Sequence, residues 1–529
     1  RCQIPRRECD LMCSIPFYLK QLIHINHTIA LSLIIFTQDY QKFLSICNSY
    51  CFLKKEMKNM AKVQNNPDVL AMRNKVAEKY PDISPGLLPK DERLLDQVSY
   101  TNSWIGGSIY IGVFMVGSSL VPPNGTLNLF QAVLALLIGL SIIAVAYNLN
   151  GMPGSRYGIP FVVQTRSCFG FVGSKFPVLI RAVPALFWYG IQTWVGGSAL
   201  NALSVKLIGF DNVWVWFVIF QFIQIALSYF GFEGIKIIQN LGSIVIIIAL
   251  VGMFYVIVKT FGADIGNNLI NIPGTWGYDF WVAIVAIIGT MTAILTNLSD
   301  YTREYHKGSG GKMFLAHWLG SVPVVMFMAL IGLLGAGVTG EWDPIVLFTN
   351  LLPNSGVLIV ALIFVVIAQV TTNILLNVVP PTYILMDLFG FSYKKGALIT
   401  GFVVFLTMPW KIMNAGGFFK FINAYSMFLG PIFAVMITDY WILRKGKYDL
   451  IELYDAKGRY SGVNWAGIIT VIAAGAIAYL IDFKLAWAIS IPFGIAIYYV
   501  LMKYTKIASR FLDDETVSKI SQESIGSEI

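Results

Sequence analysis

Residues 181–199, RAVPALFWYGIQTWVGGSA, form an apolar stretch long enough to cross a membrane as a helix. An amide side chain, Gln192, lies in its middle, and Trp188 is four residues earlier, so the two share one helical face. An amide at that depth is costly unless it has a partner. The pair therefore predicts a binding surface for a planar, polar heterocycle. Alternatively, Gln192 bonds to the backbone of a neighbouring helix.

The whole chain has the composition of a polytopic membrane protein. Of its 529 residues, 56% are hydrophobic and only 13% are charged, which is about half the charged share of a soluble domain, and the mean hydropathy is +0.67. Apolar runs of about 20 residues recur along it. They predict an all-α protein with about 12 transmembrane helices, near residues 101–121, 128–149, 177–206, 212–231, 237–260, 278–299, 315–337, 355–385, 396–410, 420–442, 463–482 and 485–504.

The distribution of charge predicts the orientation. Lys and Arg concentrate in the loops that lie inside if the N-terminus is inside, which favours a plasma-membrane protein with both termini cytoplasmic. These loops also account for the net charge of +9, and the sequence has no basic face with interleaved aromatics for a nucleic acid. It contains no GxSxG, HExxH or Walker motif. We therefore expect neither an enzyme nor a cofactor.

The two ends of the chain differ from the apolar part. Residues 1–59 begin with Arg and hold five of the six cysteines, and Met57 and Met60 are candidate starts. We expect 1–59 to be a non-native or non-functional extension; alternatively, it is an unusual extension with a role of its own. The remaining chain divides into a cytoplasmic tail at 60–100, a transporter domain at 101–505 and a second cytoplasmic tail at 506–529. Of the inner-end carboxylates, Asp300 is expected to pair with Arg303, and Asp439 with Arg444.

A second polar cluster lies in the eighth apolar segment. Thr371, Thr372, Asn373 and Asn377 fall within two turns, and none is a carboxylate. Neutral oxygen ligands suit an alkali cation in a dry site. The alternative is hydrogen bonding between helices.

The third and eighth segments hold the two polar clusters, which suggests an inverted repeat. They are the same ordinal helix in two five-helix halves, so a pseudo-twofold axis would bring them to one midplane site. Glycines such as Gly106 and Gly107 in the first segment and Gly289 in the sixth predict discontinuous helices at corresponding positions. The pattern favours a transporter.

Several motifs, in order, resemble those of the nucleobase–cation symporter family 1, and in particular its bacterial sodium–hydantoin permease type. They include NGMPGSRYGIPFVVQTRSCFG (150–170), FWYGIQTW (187–194), AQVTTNILLN (368–377) and LGPIFAVMITDYWILRKG (429–446). The resemblance covers about residues 85–505. It implies the leucine-transporter-type fold, with two inverted five-helix repeats and two further helices. It also implies import of a purine, pyrimidine, allantoin or hydantoin, coupled to Na⁺ or H⁺, by a protein that works as a monomer.

The resemblance also implies roles for individual residues. Trp188 would stack on the substrate, and Gln192 and Asn377 would hydrogen-bond to it. The sodium ligands would be Gly106, Ile109, Ala368, Thr371 and Thr372. Tyr110 stands where relatives hold an amide, and Met291, after Thr290, stands where they hold a second stacking aromatic. These departures put the identity of the substrate in doubt, because they lie in the expected pocket.

Two groups of rival functions remain open. A transporter of the same fold could carry a thiamine-like vitamin or an amino acid, although an amino acid favours half-helix amides for its carboxylate. A membrane enzyme or a non-transporting receptor is the other rival. An enzyme should show catalytic groups, and a receptor should lack the ion residues. The absence of an obvious buried carboxylate favours Na⁺ over H⁺.

Overall fold

The computed structural model describes residues 67–80, 86–90, 93–229, 251–305, 310–352, 355–413, 415–505 and 510–512. These described residues belong to one compact unit. The expectations for residues 1–59 lie outside the described residues. Within the described ranges all regular structure is helical, apart from one isolated bridge between Leu95 and Tyr305.

The helices follow the apolar segments of the sequence. In chain order they are α1 Pro67–Lys79, α2 Gln97–Gly107, α3 Ile111–Ser118, α4 Leu129–Tyr157, α5 Phe161–Gln164, α6 Arg166–Phe169, α7 Lys175–Ile208, α8 Val213–Tyr229, α9 251–265, α10 Tyr278–Thr296, α11 Ser299–Thr302, α12 Gly310–Thr339, α13 Pro344–Leu351, α14 Ser355–Asn373, α15 Val379–Phe389, α16 Tyr393–Val403, α17 Ala415–Ile437, α18 Leu450–Tyr454, α19 Trp465–Ile481 and α20 Ala486–Tyr504.

In the part of the chain that the structure describes, seven helices are long and apolar enough to cross a membrane, and a bent pair makes up to eight. The bent pair joins Leu376–Phe389 to Tyr393–Lys411 at 118°. Val213–Tyr229 and Trp465–Ile481 are apolar but shorter. The predicted fifth segment lies partly outside the described residues, so the count of twelve stays a prediction.

Local sequence signals set the helix ends. A capping box between Asn128 and Gln131 begins α4, where each side chain accepts from the other's backbone N–H. Gly158 ends α4, and Gly209 ends α7, each with a positive φ that glycine adopts without strain. The long helix α7 carries Trp188 and Gln192 and packs against α8, α14 and α15. The third and eighth predicted segments are therefore neighbours.

The first predicted segment is discontinuous, as its glycines predict. Helix α2 ends at Gly107, α3 begins at Ile111, and Ser108, Ile109 and Tyr110 lie between them without helical structure. Such a break leaves backbone carbonyls without helical partners inside the bundle, where they need another ligand.

The interruption predicted in the sixth segment lies at Asn297 and Leu298 and not at Gly289. Helix α10 runs through Gly289 and ends at Thr296, and α11 begins only at Ser299. Gly289 instead permits close packing: an added Cβ would lie 2.9 Å from a methyl carbon of Ile422 on α17. The glycine at this position therefore allows two helices to pack closely. A single sequence does not distinguish a packing glycine from one that interrupts a helix.

One of the two expected inner ion pairs forms. Arg444 Nε lies 2.8 Å from Asp439 Oδ2. The pairing of Asp300 with Arg303 is wrong, because Asp300 accepts from the Phe161 backbone N–H and from Asn297 Nδ2, at 2.7 and 2.9 Å. Arg303 donates to the carbonyls of Gly86 and Leu88 instead. The carboxylate of Asp300 thus accepts a hydrogen bond at the start of α5, where backbone N–H groups lack helical partners.

Candidate functional site

A small cavity lies between Tyr110 just before α3, helices α7 and α10, and the residues that follow α14. Its lining residues come from four parts of the chain: Tyr110, Trp188, Gln192, Thr290, Ala293, Ile294, Leu376 and Asn377. Five of the six residues predicted for the substrate are therefore brought together. The exception is Met291.

Met291 is not among the lining residues of this cavity, and its role at the substrate stays a prediction. It is fully buried, and its backbone carbonyl accepts a hydrogen bond from Tyr147. The lining residues of α10 are Thr290, Ala293 and Ile294, which are spaced by three and four residues and share one face. Met291 is rotated by about 100° from Thr290 on the helix and leaves that face. Helical spacing from Thr290 could have identified Ala293 and Ile294 from the sequence.

The indole of Trp188 is held by other aromatic rings. Its ring centroid lies 5.6 Å from that of Tyr110 and 5.7 Å from that of Phe418, both with interplanar angles of 88°. Its Nε1 donates to Tyr425 Oη at 3.3 Å. A Cβ at Gly112 would clash with the indole, so this glycine allows the ring to lie against α3. The edge-on contacts and the hydrogen bond fix the plane of the ring.

Two polar atoms at the cavity lack partners among the described residues. They are the Tyr110 hydroxyl and the Gln192 Oε1 atom, and both are buried. A buried polar group without a partner costs about 1–3 kcal/mol. A ligand that supplies a donor for the amide oxygen and a partner for the hydroxyl would recover that cost.

Asn377 reaches the cavity because its helix is irregular. Residues Ile374–Val378 form a π-helical turn, followed at once by Pro380 and Pro381 in α15. Proline has no N–H, so it cannot bond to a carbonyl one turn earlier. The carbonyl of Leu376 accepts instead from Tyr301 Oη at 3.3 Å and Arg181 Nη2 at 3.4 Å. The sequence did not reveal this turn, so it also missed Leu376 as a lining residue.

The residues predicted to bind sodium fall into two hydrogen-bonded groups. Thr372 Oγ1 lies 2.8 Å from the Ile109 carbonyl and 3.1 Å from the Gly106 carbonyl, across the break between α2 and α3. Thr371 Oγ1 lies 3.1 Å from the Ala368 carbonyl on its own helix. All five are buried. Both groups hold neutral oxygens of the kind that suits a hard monovalent cation.

Comparison with known proteins identifies the family. A family model described as permease for cytosine/purines, uracil, thiamine, allantoin matches residues 87–504. The chain belongs to this permease family. Members are permeases, so the protein is a membrane transporter and not an enzyme, as the sequence predicts.

Characterised permeases resemble the chain over most of its length. It is 29% identical to the hydantoin permease of Microbacterium maritypicum, over 74% of this chain and 82% of that protein. It is 28% identical to the allantoin permease of Bacillus subtilis, over 82% of this chain and 96% of that protein. The predicted kinship with hydantoin and allantoin permeases is confirmed.

Solved structures confirm the predicted fold. A nucleobase-cation-symport-1 family transporter, in a closed conformation with bromovinylhydantoin bound, matches with a TM-score of 0.72 and 26% identity. The match covers 82% of this chain and 99% of that one. The permease therefore has the all-helical architecture of this transporter family.

Proposed function

We propose that this permease imports a nucleobase or related small heterocycle, such as a purine, pyrimidine, allantoin or hydantoin, together with a cation. The observation that carries the proposal is the single cavity that joins Trp188, Gln192, Tyr110 and Asn377. An aromatic face, an unpartnered amide oxygen and an unpartnered hydroxyl suit a flat ring that carries both donors and acceptors. The bromovinylhydantoin bound to the similar transporter is a ligand of this type.

The substrate would lie against the indole of Trp188. Gln192 and Asn377 would hydrogen-bond to its polar edge, and Tyr110 and Thr290 would contact another edge. Ala293 lines the cavity and Met291 does not, so the α10 wall carries a smaller side chain than expected. A cavity wall of this kind sets which rings fit, because removing or adding a methylene in a packed site changes binding by about 1–3 kcal/mol.

Na⁺ would bind between the first and eighth predicted segments. Its ligands would be the carbonyls of Gly106, Ile109 and Ala368 and the hydroxyls of Thr371 and Thr372. The support is that Thr372 already lies within hydrogen-bonding distance of two of those carbonyls. A cation among these oxygens would replace the hydroxyl proton as their partner and join the broken helix to α14.

Alternating access would then couple the two solutes. Na⁺ would favour the outward-open state, the heterocycle would bind against Trp188, and closure would precede release of both inside. Each ligand needs only to bind one state better than the other. We place the transporter at residues 101–505 in the plasma membrane, as a monomer with both termini cytoplasmic. No cofactor is required.

A transport screen tests the proposal. Proteoliposomes would be assayed for uptake of cytosine, uracil, hypoxanthine, allantoin, hydantoin and thiamine, with an inward Na⁺ gradient, with K⁺ in its place, and with a pH gradient. We expect Na⁺-dependent uptake of one group of heterocycles. Uptake driven only by the pH gradient would replace Na⁺ by H⁺, and uptake of none would refute the substrate class.

The N-terminal boundary has its own test. Expression from Met60 should give uptake equal to that of the full chain, because residues 1–59 lie outside the transporter domain proposed here. The measurement is the uptake rate per amount of protein in the membrane. A truncated protein that reaches the membrane and does not transport would show that residues 1–59 take part in function.

A further inference from the structure

A row of hydrogen bonds leads from the cavity into the helices behind it. Four side chains that do not line the cavity form it: Asn373, Gln224, Thr193 and Gln221, here called the amide row. In order, the bonds run from Asn377 Nδ2 to Asn373 Oδ1 (2.8 Å), Asn373 Nδ2 to Gln224 Oε1 (2.8 Å), Gln224 Nε2 to Thr193 Oγ1 (2.9 Å), Thr193 Oγ1 to Gln221 Oε1 (2.9 Å) and Gln221 Nε2 to the Gly401 carbonyl (2.8 Å).

The amide row is fully buried and spans four elements. Each of its four side chains has 0% exposure. They lie on α14, α8 and α7, and the row ends at a backbone carbonyl of α16. Polar side chains at such a depth are costly unless every one is paired. Hydrogen bonds in a dry, connected row also strengthen one another.

The far end of the row determines its direction. The Gly401 carbonyl can only accept, so Gln221 must turn its NH₂ group toward α16 and its oxygen toward Thr193. Thr193 has one hydroxyl proton, for which the Tyr189 carbonyl (2.8 Å) and the Gln221 oxygen (2.9 Å) compete. In either case its oxygen accepts from the NH₂ group of Gln224. The oxygen of Gln224 then faces Asn373.

At the near end of the row, each NH₂ group also points toward the next acceptor in the row. Asn373 donates to Gln224 and also to the Tyr189 carbonyl at 3.1 Å, so its NH₂ group is committed twice and its oxygen faces Asn377. Asn377 donates to that oxygen from its NH₂ group. The oxygen and nitrogen of a carboxamide point in opposite directions from its carbon, so the oxygen of Asn377 points away from the row.

We propose that the amide row is a positioning device that holds Asn377 with its carbonyl oxygen toward the substrate. The Asn377 side of the cavity is then an acceptor, since the NH₂ group of Asn377 is already committed to Asn373. The substrate is a neutral heterocycle with a ring N–H group that donates to Asn377, and not one whose ring nitrogens are alkylated. This inference rests on the proposed function, since it assumes that the substrate occupies this cavity.

Gln224 is the position at which to test the row, because it contacts Asn373 and not the cavity. Gln224→Leu removes both hydrogen bonds of the side chain. Gln224→Glu keeps both while the acid is neutral, since its C=O accepts from Asn373 and its O–H donates to Thr193. A buried carboxyl is held neutral by desolvation until the pH rises far enough to ionise it.

The measurement is a pair of affinities in purified protein with saturating Na⁺. Uracil and hydantoin are each compared with their N,N′-dimethyl derivatives by calorimetry, between about pH 5 and 8, where these rings stay neutral. We expect the native protein to favour the N–H forms about tenfold or more, the factor of one satisfied buried hydrogen bond, at every pH. Gln224→Leu should reduce that preference by about threefold and not abolish it, because the Tyr189 carbonyl still accepts from Asn373.

Gln224→Glu should keep the native preference at every pH, because its C=O accepts from Asn373 whether the acid is protonated or ionised. A merely structural role would weaken both ligands together and leave their ratio, including any steric effect of the methyl groups, unchanged. The proposal is wrong if Gln224→Leu folds and keeps the native ratio, or if Gln224→Glu lowers the preference as Gln224→Leu does. If Gln224→Leu does not fold, Gln224→Met, which also lacks both hydrogen-bonding groups, takes its place.

If the transport screen identifies another ring, that ring and its N-methyl derivative replace uracil and hydantoin. If the native protein binds none of the heterocycles of the screen, the proposed function fails, and the role of the row fails with it.

Discussion

At the scale of single residues, the site depends on a few side chains with fixed orientations. Trp188 is set by three edge-on aromatic contacts and a hydrogen bond to Tyr425. Gln192 keeps an acceptor without a partner beside the same cavity. A rigid aromatic face and an open hydrogen-bonding group bind a flat polar ring at little cost in side-chain entropy.

Trp188→Ala should weaken substrate binding about five- to hundredfold, since stacking of a base on an aromatic ring contributes about 1–3 kcal/mol. Trp188→Phe should retain part of the affinity, because it keeps an aromatic face. The measurement is the concentration dependence of uptake of the substrate that the screen identifies. Unchanged uptake by Trp188→Ala would rule out stacking at this residue.

Thr372→Ala should raise the Na⁺ concentration for half-maximal uptake by about tenfold, the factor of one lost interaction with a charged group. Thr372→Ser keeps the hydroxyl and should stay close to the native value. Thr382→Ala is a matched control, since that hydroxyl donates to the Val378 carbonyl of its own helix. An equal loss in Thr372→Ala and Thr382→Ala would argue against a sodium ligand at Thr372.

At the scale of elements, irregular helices bring the site together. The break between α2 and α3 exposes carbonyls toward α14, and the π-helical turn before Pro380 directs Asn377 to the cavity. Regular helices would satisfy these groups internally and offer nothing to a ligand. Irregular backbone at membrane depth persists because neighbouring side chains, such as Arg181 and Tyr301, pair with it.

Gly112→Ala should impair binding while the protein still folds. The new methyl group would meet the indole of Trp188, which must then shift from its place beside the cavity. We expect a loss of affinity of tenfold or more by order of magnitude, in line with an overpacking cost of about 1–3 kcal/mol. Gly252→Ala is the control, because a methyl group there meets no atom within 4 Å. Equal affinity in the two variants would show that Trp188 has room to move.

At the scale of the whole molecule, coupling requires that both ligands favour the same closed arrangement. The residues proposed for Na⁺ and those proposed for the substrate share two elements, the broken first helix and the eighth segment. Ile109 and Tyr110 are adjacent in the chain, and Thr372 and Asn377 are close together in the eighth segment. A ligand that orders either element would therefore raise the affinity of the other site for its own ligand.

Thermodynamic linkage makes this coupling measurable. Saturating Na⁺ should raise the affinity for the heterocycle by about five- to 150-fold, and the heterocycle should raise the affinity for Na⁺ by the same factor. Calorimetric titration of each ligand, with and without the other, checks the equality. A substrate affinity that is independent of Na⁺ would remove the coupling that the shared elements suggest.

The sequence predicts much of this site because hydropathy and local spacing act over short distances. Apolar length identifies the helices, and the i, i+4 pair of Trp188 and Gln192 places two groups on one face before any tertiary contact is known. Met291 was assigned from a resemblance and not from the periodicity of its helix, which places it off the face that lines the cavity. The helix is not interrupted at Gly289, because glycine occurs both where helices pack closely and where a helix unwinds.

The sequence by itself determined that the chain crosses the membrane many times, which segments carry polar groups, and which family it resembles. A helix in lipid must satisfy its own backbone, so its apolar length shows in the sequence. Tertiary structure decided which groups pair. Thr372 lies within hydrogen-bonding distance of the Gly106 and Ile109 carbonyls, and Asp300 accepts from the Phe161 backbone N–H. Asn373 belongs to a buried row of hydrogen bonds that ends at the Gly401 carbonyl. Those partners lie far apart in the chain, and packing alone brings each donor to its acceptor.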